Sequence, residues 1–300
     1  MRKFFQNVKN AIISGTFKYD IIRRIITIGV KDKYLKNDQW DLFVYNYIKR
    51  KYKDILIRSD SQAISSKGSY VWVLWFQGEK EMPPIVKACI NSIKNNIHGM
   101  EIRILTQSTV YDYVRLPKYI EEKREKGKIS MAHYSDIIRT ELLCKYGGLW
   151  LDATVLCTSN VPSYILDEPL FVYKIVDMSR REVLPIKNSS WLIYAEKNNP
   201  ILLLTRKLLH SYWEEHNGLM DYFLWHILFS LASDVYKEEF DSIPTYSNQC
   251  PHVLQFEMEK EFCVRRWDEI IRGASFHKLN HHINYNATKN NFYSYIIKNM

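Results

Sequence analysis

Apolar and polar positions alternate along this chain in blocks that switch between strand and helix periods. Tyr70 to Phe76 is an unbroken apolar run rich in β-branched and aromatic residues, closed by Gly78. It predicts a strand buried on both faces, the first of a parallel sheet. Pro83 and Pro84 open a helix with Ile85, Ala88, Cys89 and Ile93 on one face. Glu101 to Leu105 reads as the next strand, Thr106 to Tyr113 as the start of a helix, and Leu116-Pro117 as a turn before a helix over Tyr119–Lys126. Gly127 breaks the chain. Tyr134, Ile138 and Leu142 then recur at i, i+4 and i+8, the core stripe of a helix stopped by Gly147-Gly148. Leu149 to Leu151 is a short apolar strand with Asp152 where it runs out. Beyond it come a strand and an apolar segment within 155–175, a short strand at Trp191–Tyr194, and helices over Pro200–Trp213 and Asp221–Ala232. Strands alternating with helices predict an α/β fold around a mostly parallel sheet.

The N-terminal part has a different texture. Residues 1–30 read as helix, with Phe5, Val8 and Ile12 on one face, then Ile21, Ile22, Ile25 and Ile26 around Arg23 and Arg24, interrupted at Gly15 and Gly29. Trp40 to Ile48 reads as helix and Ser59 to Ser69 as a polar linker. These features divide the chain into a basic helical extension, 1–68, and a body, 69–300.

Charge sharpens that division. The chain carries a net +9, yet residues 1–60 hold 14 Lys/Arg against 6 Asp/Glu while the remainder holds 28 against 27. The basic character belongs to the extension and points to an anionic surface; with no nucleic-acid motif following, that surface is a membrane leaflet rather than nucleic acid. An amphipathic basic segment of this kind lies flat on a bilayer; the alternative is a helical extension packed on the body with its charges in water. The five cysteines, Cys89, Cys144, Cys157, Cys250 and Cys263, show neither CxxC nor zinc-type spacing. With no secretory leader in the first residues and no apolar run long enough to span a bilayer, the expected location is the cytoplasm, peripheral on the inner face of the cell membrane.

Candidate chemistry gathers around residues 132–154. Asp136 and Arg139 lie three apart and share a helix side with Ser135 and Ala132, away from the apolar row. Ligands collect beyond the carboxyl ends of strands in open α/β sheets, where an Asp such as Asp152 can hold a hard divalent cation. Arg139 could take a phosphate and Asp136 a sugar hydroxyl. The competing reading is a surface Asp136–Arg139 pair with Asp152 as a turn residue.

Trp75-Phe76-Gln77-Gly78, Met82-Pro83-Pro84-Ile85-Val86, Ser135-Asp136 with Arg139, and Tyr146-Gly147-Gly148-Leu149-Trp150-Leu151-Asp152-Ala153-Thr154, with Asp221-Tyr222-Phe223-Leu224 and His277-Lys278-Leu279 further on, stand in order along the chain. This set resembles the capsular polysaccharide synthesis group of the glycosyltransferases with a DxD motif, related to yeast mannosyltransferases and the glucosylating clostridial toxins. The likeness covers roughly Tyr70 to Leu279.

The resemblance implies a GT-A, Rossmann-like nucleotide-sugar-binding fold and a retaining, metal-dependent hexosyltransferase of capsule or O-antigen synthesis. Its donor would be a nucleotide sugar, a UDP-sugar in the first instance, and its acceptor a polyprenyl-linked oligosaccharide. Trp75, at the end of the first strand, corresponds to a Trp that stacks on uracil in the toxins. Gln77, Ser135, Asp136, Arg139, Trp150 and Lys278 would complete the donor site. Asp152, Thr154 and His277 would hold Mn²⁺ or Mg²⁺, the imidazole favouring Mn²⁺. Thr154 stands where the motif's second acid is expected, so the carboxylate share of the metal site falls to Asp152. Catalysis would rest on Asp152, Arg139 and Asp221, the last either acting on substrate or serving as a helix N-terminal acid. The alternatives are a non-catalytic nucleotide-sugar or polysaccharide-binding subunit and a protein glycosyltransferase.

Overall fold

A strand buried on both faces sits at the centre of the molecule. In β1 (Tyr70–Leu74), Val71 and Val73 enter one hydrophobic cluster while Trp72 and Leu74 enter the other, as the period of two dictates. The computed structural model describes residue 9 and residues 11–59, 65–178 and 181–300; Phe5 and Val8 lie outside the described residues. In chain order the helices are α1 (Phe17–Ile26), α2 (Lys33–Lys51), α3 (Pro84–Asn96), α4 (Lys118–Glu125), α5 (Met131–Tyr146), α6 (Ser163–Leu166), α7 (Pro200–Glu215), α8 (Leu224–Val235), α9 (Lys237–Ser242), α10 (Val253–Glu257), α11 (Val264–Gly273) and α12 (Phe292–Asn299). The remaining strands are β2 (Glu101–Leu105), β3 (Gly148–Asp152), β4 (Val155–Cys157), β5 (Leu170–Lys174), β6 (Asn188–Ala195) and β7 (Phe276–Lys278).

The main sheet has the order β2-β1-β3-β6-β5. β1 pairs in parallel with β2 and β3, whereas β6 runs antiparallel to both β3 and β5. All the strands except β6 therefore point one way, which gives the mixed, mostly parallel α/β architecture expected. The short strand read at Trp191–Tyr194 is this longer, reversed β6. One face of the sheet carries Trp72, Trp150 and Ile193 with residues of α2, α5, α7 and α8; the other carries Val71, Leu149 and Leu192 with α3, α12 and the β4–β7 ladder.

Two local features have physical causes, one a departure and one an expected stop. The helix read from Thr106 is only a 3-10 turn, Val110–Asp112, since Pro117 stands a few residues on and keeps the chain before it out of helix. The stop at the end of α5 serves packing as well as termination. Gly147 and Gly148 have φ of +67° and +101°, and a β-carbon on Gly148 would strike the Tyr70 carbonyl. The glycines let β3 lie against β1 from its first residue. At the N-terminus, Trp40, Val44, Tyr45 and Ile48 of α2 are buried in the cluster that holds Trp72 and Trp150.

Candidate active site

The chain leaves β1 for β2 on one side and returns to β3 on the other, so the carboxyl ends of β1 and β3 form the sheet's switch point, where α/β proteins bind ligands. Leu74 pairs with Asp152 across it. A cavity of about 910 Å³ opens there, lined by Trp75 and Gln77 after β1, by Ser135, Asp136 and Arg139 from α5, by Trp150, Asp152 and Thr154, and by Lys278. Its far wall brings Tyr222 and Phe223 from the turn into α8, His226 from α8, and Asn280, His281 and His282 from the segment after β7.

The floor is built by α5. Ser130 caps the helix, its hydroxyl accepting from the His133 N–H. His133, Asp136 and Arg139 recur at i, i+3 and i+6 and are all buried, so the helix is enclosed on its polar as well as its apolar side. This differs from the surface pair that the sequence left open. Arg139 forms an ion pair with Asp136, donates to the Ser190 carbonyl at 2.5 Å and comes within 3.6 Å of Asp152. Its guanidinium also lies over the rings of Trp225 and Trp150, at 5.0 and 5.6 Å from their centroids. Burial pulls its pKa down to about 10, which leaves it charged at neutral pH. His133 Nδ1 lies 3.2 Å from the other oxygen of Asp136. Burial, then the Arg139 charge, depress the His133 and His226 imidazoles to about 3, so both are neutral. Thr140 ties the set together: it donates to the Asp136 carbonyl at 2.7 Å and accepts from the Trp225 indole at 2.8 Å.

Asp152 is held from both sides. The Trp150 indole N–H donates to Oδ1 at 3.0 Å and the Lys278 ammonium to Oδ2 at 3.0 Å. Burial alone would raise the Asp152 pKa, but Lys278 and Arg139 outweigh it and keep the carboxyl below its ordinary value. Lys278 also donates to the Thr154 hydroxyl at 2.5 Å. One ammonium thus bridges the carboxylate and the hydroxyl expected to hold a metal. Among the described residues no three His, Cys, Asp or Glu side chains gather into a metal-type cluster. The donor chemistry of Asp152 and Thr154 nonetheless fits a hard cation that takes its other ligands from phosphate and water, as Mg²⁺ commonly does.

Two expected site residues stand elsewhere. Successive residues of a strand face opposite sides, so β7 directs Lys278 to the cleft and His277 away from it. The His277 imidazole is buried, with Nε2 at 3.3 Å from the Thr158 hydroxyl, and burial lowers its pKa to about 4. Asp221 lies behind the cleft wall rather than in it. Its carboxylate accepts from the Phe223 N–H at 2.6 Å, capping the turn into α8, and it faces Trp40 and Asp41 of α2. The sequence reading passed over His133, though its spacing from Asp136 and Arg139 marked it. It also passed over His226 and the Ser190 carbonyl, which only the packing of α8 and β6 on α5 brings in. Trp75 stands at the rim, edge-on to His281 with ring centroids 5.3 Å apart.

Fold and cleft together define an α/β protein with a cation-lined pocket at the switch point of its sheet. The family model described as "capsular polysaccharide synthesis protein" matches residues 7–297, and the chain belongs to that family. An alignment of 128 positions, covering 35% of this chain and 30% of the other, is 28% identical to the O-glycosyltransferase PaGT of Phomopsis amygdali. The solved PaToxG glycosyltransferase aligns over 68% of this chain and 85% of its own, at 14% identity and a TM-score of 0.41.

Proposed function

We propose that this protein transfers a hexosyl group from a nucleoside-diphosphate sugar, in the first instance a UDP-sugar, to a polyprenyl-linked oligosaccharide of a surface polysaccharide. The observation that carries the reading is the convergence of Arg139 and Lys278 on Asp152 at the sheet's switch point. A departing nucleoside diphosphate needs its charge neutralised, and a preorganised cation set in a buried site does this with little rearrangement. In this reading Trp75 supports the base, Lys278 meets the diphosphate, and the Asp136–Arg139 floor orients the donor sugar. Asp152 and Thr154 would hold Mn²⁺ or Mg²⁺, and the cation would supply further charge neutralisation. Asp136 and Asp152 are both paired with cations, which makes each a weak base. That favours a retaining course in which a donor phosphate oxygen takes the acceptor proton.

The test is nucleotide release from a panel of UDP-, GDP- and CDP-sugars with Mn²⁺. Turnover of one donor well above the others is expected. No release from any donor, with folded protein and with a polyprenyl-diphosphate oligosaccharide supplied, would return the chain to a binding subunit.

A further inference from the structure

α1 reverses the usual placement of apolar residues. Phe17, Ile21, Ile25 and Ile28 recur at i, i+4, i+8 and i+11 on one stripe, and all are exposed, Ile25 by 65% and Ile28 by 82%. Ile12 and Ile13, in the helical stretch 11–14 just before it, are exposed by 58% and 50%. The opposite side of α1 is the packed one: Tyr19 and Thr27 are buried, and Arg23 donates to Asn37 of α2 at 2.5 Å. Cations outnumber acids around the apolar stripe: Lys18 and Arg24 are exposed on α1 beside Asp20, and Lys31 and Lys33 just beyond it flank Asp32.

This surface is joined tightly to the rim of the cleft. Gly15, at φ +74°, meets the turn at 217–218 backbone to backbone; a β-carbon on Gly15 would strike the Asn217 carbonyl, and one on Gly218 would strike Gly15. The Tyr212 hydroxyl fixes the same turn, donating to the Gly218 carbonyl at 2.7 Å and accepting from the Met220 N–H at 2.8 Å. A few residues on, Tyr222 and Phe223 line the cleft and remain exposed.

We propose that the exposed face of α1, with Ile12 and Ile13, is a docking surface for an anionic lipid bilayer, coupled through the Gly15–Gly218 contact to the aromatic rim of the cleft. The chemistry matches the occupant: isoleucines insert at the acyl boundary while lysines and arginines on their flanks meet anionic headgroups. The core of a protein–protein interface is depleted in lysine; here lysines border the stripe and the surrounding segment carries most of the chain's excess positive charge. The proposal goes beyond the transfer reading and stands apart from it, because vesicle binding is measured without a sugar donor.

The test is co-sedimentation of the full chain with vesicles of phosphatidylcholine alone or with about 30 mol% phosphatidylglycerol. At low salt the anionic vesicles should retain about tenfold more protein than the neutral ones, and salt should reduce the difference. The double substitution Ile21→Glu with Ile25→Glu should lose that retention while keeping the melting temperature and donor hydrolysis of the parent, since both side chains are exposed. Equal retention on both vesicle types, or full retention of the double variant, would overturn the proposal. So would a dimer in sedimentation velocity that the double variant dissolves without any vesicle binding by the parent, which would assign the face to a second copy of the chain.

Discussion

The floor of the cleft and the outer face of α1 invert the common rule of burial in opposite senses. In the floor, Asp136, Arg139 and His133 are buried beneath Trp150 and Trp225. On α1, Phe17, Ile21 and Ile25 stand in solvent. Both helices combine apolar and charged residues, so composition does not separate them. What separates them is what covers each one. α5 is enclosed by the sheet, α7 and α8, so its ions had to be paired; α1 is covered on one side only. A buried ion and an exposed apolar stripe each cost stability, and each marks a place where the chain is shaped for something other than folding.

The largest expected effect comes from breaking the floor. Arg139→Ala leaves Asp136 buried beside a neutral imidazole, with the Ser190 carbonyl unpartnered. Losing one partner of a buried pair typically costs about 3–5 kcal/mol. Urea unfolding should show a loss of that order, together with loss of donor turnover. An unchanged unfolding midpoint would mean that the pair is solvated and the floor open.

Asp152→Asn sharpens the contrast, because Asp152 lies at the edge of the floor with its side chain 30% exposed. Turnover should fall by about 10²–10³, the usual loss for one preorganised charge-stabilising group, while the melting temperature changes little. Excess EDTA applied to the parent protein should produce a comparable fall that Mn²⁺ restores. Full turnover after metal content is shown to be nil would leave Lys278 and Arg139 as the only cations serving the diphosphate.

Much of this was legible in the chain. Glu101–Leu105 was read to the residue as β2, and the glycine stop before β3 follows from Gly147-Gly148 alone. Trp75, Gln77, Ser135, Asp136, Arg139, Trp150, Asp152, Thr154 and Lys278 do line one cavity. What periodicity could not supply was enclosure. The polar side of α5 reads as solvent-facing until β6 and α8 close over it, and His226 and the Ser190 carbonyl join the cleft only through that closure. His277 and Lys278 fall on a three-residue strand that the sequence pattern did not mark, and its parity lets only one of them reach Asp152.

His277→Asn tests that parity. With its side chain directed at Thr158 and away from the cleft, the substitution should leave the donor KM and the Mn²⁺ requirement unaltered. Stability should fall by about 1 kcal/mol, the typical worth of one buried hydrogen bond. A raised Mn²⁺ requirement would bring the imidazole into the metal shell and reverse the assignment of β7's faces.

A pH-dependent effect lies where the two regions meet. Asp41 of α2 faces Asp221 at the turn into α8, with Arg23 of α1 and Asp38 nearby. Burial first, then the Asp221 charge, raise the Asp41 carboxyl from 3.8 to about 7. A carboxyl whose folded pKa lies above its unfolded value binds more protons in the native state. Between about pH 4 and 7 the unfolded chain has released this proton and the folded chain keeps it, so stability falls as pH rises through that window. Asp41→Asn should therefore stabilise the protein at pH 8, by about 1–2 kcal/mol after allowance for partial exposure, and change little at pH 4, where wild-type Asp41 is already protonated. Thermal melts of the two proteins across this range should converge toward the acid end and separate toward the alkaline end. Parallel curves would show that Asp41 and Asp221 share no proton. In that case the junction between α2 and the cleft wall would rest on the buried packing of Trp40, Val44 and Ile48 alone.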